Sequence, residues 1–308
     1  MKPLLTFILV FGFATIAWPC ANFVGKGTKY SGEKAALNLK LGNPYRLRSA
    51  LQMALHTDGE TLEAELRNAT EFTNRSDYCV ALMYLGRSQE AVDRLQKMEQ
   101  EKPGEYYIAA NLGTAYELTG NNEEALRWIN EGIRRNPASH EGTEWLHAKI
   151  LEAKIAREKE PTYFDKHSVL ELSPAQISDA MTINGHAYTP LQVAQAIQHQ
   201  LEERLQFVKP PDPAVASLLY DYAVIDAVAN SMESANIILS LAAEYGYPMA
   251  KIDPLRKDFD QRLAWRRTKD HIIYAFFGAI GIAVLWWLRR QGHFVLWRGD
   301  DKYTKRTT

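Results

Sequence analysis

Residues that could do chemistry are few and scattered along this chain. His140-Glu141 opens like HExxH, where two histidines on one helical face hold a metal. Gly142-Thr143-Glu144 follows, so the second histidine is missing. Gly25-Lys26-Gly27-Thr28 superficially has the Gly-Lys of a phosphate-cradling loop, but no glycine stands five residues before Gly25, and it reads as a turn. GxSxG, CxxC and EF-hand patterns are absent. The eight histidines are dispersed; His186 and His199 could approach each other, and solvated side chains rather than a metal pair are the expected reading. Tyr163, Asp165, His167 and His186 form the one loose grouping that could serve acid–base catalysis. Cys20 and Cys79 allow either one disulfide in an oxidising compartment or a small buried thiol at position 79. Asn68-Ala-Thr and Asn74-Arg-Ser match glycosylation acceptors, which matter only in a eukaryotic host. No catalytic residue, metal or cofactor is expected.

The composition is that of a folded body. The chain has 308 residues, 46% apolar and 24% charged, enough for one or two globular domains and unlike a disordered protein. A net charge of −1 provides no basic field for nucleic acid, and two cysteines exclude a disulfide-dense scaffold.

Two apolar runs direct the chain to a membrane. Residues 1–17 have a lysine, then an apolar run ending in small residues, as a secretory signal peptide does. Cleavage is expected after Ala17; cleavage after Ala21 meets Pro19, and lipidation at Cys20 fits Ala17-Trp18-Pro19 poorly. The second run, Ile272–Leu288, has 17 uncharged residues, about 25 Å of helix against a hydrocarbon core of ~30 Å. Trp286 and Trp287 end it, and Arg289 and Arg290 can reach the headgroups. The domain plan therefore places a transmembrane helix at 271–288. A basic cytoplasmic tail follows at 289–308, with six Lys/Arg against two Asp. Local charge does not favour this orientation, since six Lys/Arg precede the run and four follow it within 15 residues. Export by the signal peptide is expected to override it. Arg298-Gly299-Asp300, similar to a cell-adhesion tripeptide, then lies on the cytoplasmic side.

Between these runs the chain repeats itself at an offset of 34, pairing Glu71/Glu105, Ala81/Ala115, Gly86/Gly120, Ala91/Ala125 and Pro103/Pro137. The segment AANLGTAYELTGNNEEALRWINEGIRRNP resembles most of one tetratricopeptide repeat, beginning near Tyr106. Leu112-Gly113 match the step where helix A packs closely on helix B. Tyr116 matches the aromatic, Gly120 the turn, Ala125 the small contact and Pro137 the stop, while Ala109 and Gly132 depart from the pattern. The unit from Phe72 to Glu105 is similar to it less closely, with Tyr78-Cys79 where Leu-Gly is usual. The resemblance implies a concave groove for a protein partner, lined by Thr73, Ser76, Val80, Met83, Tyr84, Tyr107, Ala110, Thr114, Glu117 and Leu118. Asn111 matches one position of the family's carboxylate clamp; the basic positions are missing, so a carboxylate tail is not the expected ligand.

The expected fold is all-α: a solenoid of tetratricopeptide-like helical hairpins, a small β-hairpin insertion and one C-terminal transmembrane helix. Residues 18–71 form an N-terminal helical cap, with helices over Tyr45–His56 and Thr61–Ala69, and the repeats occupy 72–160. Trp145, Leu146, Ile150, Leu151 and Ile155 predict a further helix with a polar opposite face. Residues 161–213 combine a loop, a hairpin at Asn184-Gly185 and a helix capped by Thr189-Pro190, whose core face is Leu191, Ala194, Ile197, Leu201 and Leu205. A degenerate repeat-like hairpin follows within 214–270. The function expected is a non-enzymatic, membrane-anchored scaffold whose exported domain (periplasmic in a bacterium) binds a protein. Two alternatives are a structural subunit of a membrane complex and an enzyme with its site in 161–213.

Overall fold

Helical hairpins succeed one another in the computed structural model, which describes residues 24, 47, 59–172, 177 and 180–291. The signal-peptide stretch, Cys20, the loop at Gly25–Thr28, most of Tyr45–His56 and the tail beyond Gln291 lie outside the described residues. The described helices begin with α1 (Gly59–Leu66), α2 (Phe72–Tyr84), α3 (Ser88–Glu101), α4 (Tyr106–Thr119) and α5 (Asn122–Arg135). The spacing of 34 residues recurs in the backbone. Helices α2 and α4 start at 72 and 106, α3 and α5 at 88 and 122. Gly86 and Gly120, also 34 apart, close the two hairpins at φ of 72° and 86°, a left-handed conformation that costs glycine least.

Each helix from α1 to α5 packs on the next, and α2 also touches α4, so the first helices of the two hairpins stand side by side. Ala91 and Ala125, both fully buried, occupy equivalent positions in α3 and α5. The core between α1 and α4 gathers Leu62, Leu82, Leu95, Ile108 and Leu112. Cys79 is buried there with its Sγ 3.3 Å from the Arg75 carbonyl oxygen, and burial pushes its thiol up to about 12.

A 3-10 turn (Ser139–Gly142) leads into α6 (Glu144–Lys159), and α7 (Tyr163–Lys166) follows. The hairpin expected at Asn184-Gly185 forms: β1 (Met181–Ile183) pairs antiparallel with β2 (His186–Tyr188), Ile183 opposite His186. Both turn residues have positive φ, 51° and 78°, as a two-residue turn of this kind requires. Helix α8 (Pro190–Arg204) starts as its sequence indicates. Thr189 Oγ1 accepts the Gln192 N–H at 3.2 Å, and Gln192 Oε1 accepts the Thr189 N–H at 2.8 Å. Of its expected core face, Ala194, Ile197, Leu201 and Leu205 are buried but Leu191 is 46% exposed, and Val193 is buried instead. A second hairpin, α9 (Pro213–Ala229) and α10 (Met232–Glu244), packs through α9 on α8 and α6.

The last helix, α11 (Met249–Arg290), carries 18 consecutive residues of mean hydropathy 1.9, none of them buried. It is long and apolar enough to cross a membrane. Such a stretch, with Phe276, Phe277, Ile282 and Trp286 all exposed, is unfavourable in water at about 25 cal/mol per Å² of apolar surface.

Candidate functional site

The expected groove residues lie on α2 and α4, the first helices of the two hairpins. Ser76, Val80, Met83, Tyr107, Ala110, Thr114 and Glu117 are buried, and Thr73, Tyr84 and Leu118 are half-buried. The chain itself covers this face. Tyr84 stacks on Phe207 with ring centroids 4.5 Å apart, and its hydroxyl donates to Gln206 Oε1 at 2.6 Å. The Val24 N–H donates to Asp77 Oδ1 at 2.7 Å, and Val24 packs against the same apolar cluster. Asn111, the clamp-like asparagine, donates to Ser76 Oγ at 3.1 Å and so ties α4 to α2.

Glu117 anchors the far end of the face. Arg204, at the end of α8, meets its carboxylate with both terminal nitrogens, Nη2 standing 3.1 Å from Oε2. Two residues of α6 complete the shell: His147 Nε2 at 2.8 Å and Lys154 Nζ at 2.8 Å. Burial alone would raise the Glu117 pKa, but Arg204, Lys154 and His147 outweigh it and hold the group well below the usual carboxylate range. The pair therefore stays ionised in a place where one charge alone would be costly.

Beside this ion network, His140, Glu144, His199 and Glu203 meet in the interior. His140 sits in the 3-10 turn at φ 52°, an uncommon conformation for a residue with a Cβ. Its Nδ1 is 3.5 Å from Glu144 Oε2 and 3.5 Å from Glu203 Oε2; His199 Nε2 is 3.0 Å from Glu203 Oε1. Burial opposes a charge on His140, yet Glu144 and Glu203 push its pKa up to about 9. Burial likewise raises Glu203, while His199 and His140 bring it down to about 2. One ligand atom from each of His140, His199 and Glu203 lies within 4.8 Å of the others, the geometry of a candidate metal-binding set.

The histidine pairing thus differs from the one considered on sequence grounds. His199 meets His140, ring centroids 6.0 Å apart, while His186 is exposed on β2. The expected polar face of α6 is also corrected at His147, which is buried against Glu117 and Glu144. A spacing signal was present: His140 and Glu144, like His199 and Glu203, stand four apart. In the 161–213 region, His167 Nδ1 pairs with Glu171 at 2.8 Å and stacks on Tyr163, and Asp165 is exposed. Asp221 of α9 fastens the preceding loop, accepting from Ser168 Oγ at 2.7 Å and the Leu170 N–H at 2.8 Å.

Comparison with known proteins yields no match among protein-family models, curated proteins or solved structures.

Proposed function

We propose that this chain is a non-enzymatic, membrane-anchored scaffold of the tetratricopeptide type. Its helical body is exported and holds a protein partner, and its tail is cytoplasmic. The observation that carries the reading is the combination of hairpins recurring every 34 residues with an α11 segment of mean hydropathy 1.9 and no burial. Stacked hairpins offer extended surfaces suited to protein contacts, and an apolar helix without protein cover is suited to lipid.

The inner face is already filled by the chain's own Phe207, Gln206 and Val24, so a partner contacts its rim, where Thr73, Tyr84 and Leu118 remain half-exposed. That filling also favours a second reading, a structural subunit that meets its complex through α11. A photo-crosslinking residue placed at Thr73 or Leu118 in the full-length protein, in its native cells, separates the two. The scaffold reading expects one discrete adduct from these rim positions and none from Arg94 on α3. Adducts only from positions within α11 would favour the structural subunit and remove the rim as the binding surface.

A further inference from the structure

The buried histidines and carboxylates next to the inner face have a use that scaffolding does not require. His140 has a 2% exposed side chain, and neither ring nitrogen makes a hydrogen bond. Its Nδ1 instead looks onto two carboxylate oxygens at 3.5 Å, one from Glu144 and one from Glu203. Around a tetrahedral zinc with bonds of about 2.0–2.1 Å, neighbouring ligand atoms stand about 3.4 Å apart. His140 Nδ1 stands close to that edge length from Glu203 Oε2 and from Glu144 Oε2, and His199 Nε2 stands 3.0 Å from the other Glu203 oxygen, Oε1. A ring nitrogen held near two carboxylates at this spacing is better placed for a shared cation than for a direct hydrogen bond.

We propose that His140, His199 and Glu203 bind a divalent first-row transition metal, zinc above all, with Glu144 as the carboxylate in reach for the fourth position. The donor set of imidazole nitrogen and carboxylate oxygen without thiolate suits this class of ion. Two carboxylates and two neutral imidazoles balance a double positive charge, which is what a buried site needs. The outer shell is built as well. Glu144 Oε1 lies 3.3 Å from His147 Nδ1, and His147 Nε2 lies 2.8 Å from Glu117, a carboxylate–histidine chain that orients the ligand. The site is structural, because its ligands fill an interior position: Glu144 and Glu203 are 4% exposed and His199 13%. It joins the 3-10 turn after α5 to α8, ligands 59 residues apart in sequence (199 less 140), and so holds α8 against that turn.

The test uses the full-length protein in detergent, carrying no polyhistidine tag, stripped with chelator and then titrated with zinc chloride. Elemental analysis after dialysis is expected to find about one zinc per chain. The melting temperature is expected to rise by about 5 °C when free zinc is about a hundredfold above its Kd. His199→Ala and Glu203→Gln should each weaken zinc about a hundredfold or more, whereas His167→Gln at the surface should leave it unchanged. If a ligand variant fails to fold, cobalt loading of the wild-type chain decides, since four-coordinate cobalt absorbs strongly in the visible. A helical wild-type chain that retains no zinc, shows no thermal shift and gives no such cobalt band overturns the proposal. So does a folded His199→Ala variant that holds zinc as tightly as the wild type.

Discussion

Replacing Gly113 by alanine tests the close approach of α4 and α5 on which the repeat geometry depends. A Cβ at Gly113 would stand 2.4 Å from Ile129 Cδ1, 2.6 Å from its Cγ1 and 3.2 Å from its backbone nitrogen. Ile129 is fully buried. Overpacking of this kind costs about 1–3 kcal/mol. The helix propensity gained on going from glycine to alanine returns about 1 kcal/mol. The expected net is a loss of about 1 kcal/mol, or ~2–4 °C in melting temperature for a protein of this general size. Ile129→Ala removes both of these side-chain atoms, Cδ1 and Cγ1, at a cost of about 2–5 kcal/mol. In that background Gly113→Ala should become neutral or stabilising, a coupling of about 1–2 kcal/mol in a double-mutant cycle. Gly132→Ala is the contrasting control. Its Cβ would lie 3.6 Å from the Ala110 nitrogen, ordinary contact, so it should stabilise by about 0.5–1 kcal/mol. Urea unfolding followed by far-UV circular dichroism reads all four variants. A stabilising Gly113→Ala, or strictly additive energies, would refute the packing argument.

Three further outcomes follow from the same geometry. Arg204→Met removes the main partner of buried Glu117 and should cost about 3 kcal/mol in urea unfolding; a loss under about 1 kcal/mol would mean α8 does not hold α4 in this way. Asp221 is raised from 3.8 to about 7, mainly by burial and against its hydrogen bonds, so the folded state binds its proton more tightly than the unfolded one. Its contribution is therefore full below about pH 3.8 and lost as pH rises through about 7, up to ~4 kcal/mol; melting temperatures of Asp221→Asn should lack that component of the slope, and an unchanged slope would disprove it. Thr189→Ala breaks the capping box of α8 and should cost about 1 kcal/mol, whereas no change in thermal unfolding would leave the cap without energetic weight.

Local signals made the local structure legible. Gly86 and Gly120, the Asn184-Gly185 turn and the Thr189 cap each act through residues a few positions away, so their effects can be read from short stretches. The filling of the inner face was not legible, because Arg204 meets Glu117 across 87 residues and Phe207 meets Tyr84 from further still along the chain. Arg204 has the pattern of an ordinary polar residue near a helix end, and His147 that of a solvated face. Only tertiary packing distinguishes a buried ion partner from an exposed one. The His140–Glu144 and His199–Glu203 spacings were visible, but each alone is an ordinary i, i+4 separation in sequence. Their meaning arises when α8 brings them together.

The proposed topology, a helical body exported and anchored by α11, is the central claim, and labelling from one side of the membrane tests it most directly. Single cysteines are introduced at Glu123, exposed on α5, and at Thr304, in a Cys20→Ser, Cys79→Ser background. Intact cells are then treated with a membrane-impermeant thiol reagent after any outer membrane has been opened. An exported body anchored by α11 labels at position 123 and is protected at position 304. Labelling at both positions, or at 304 alone, contradicts the anchored scaffold.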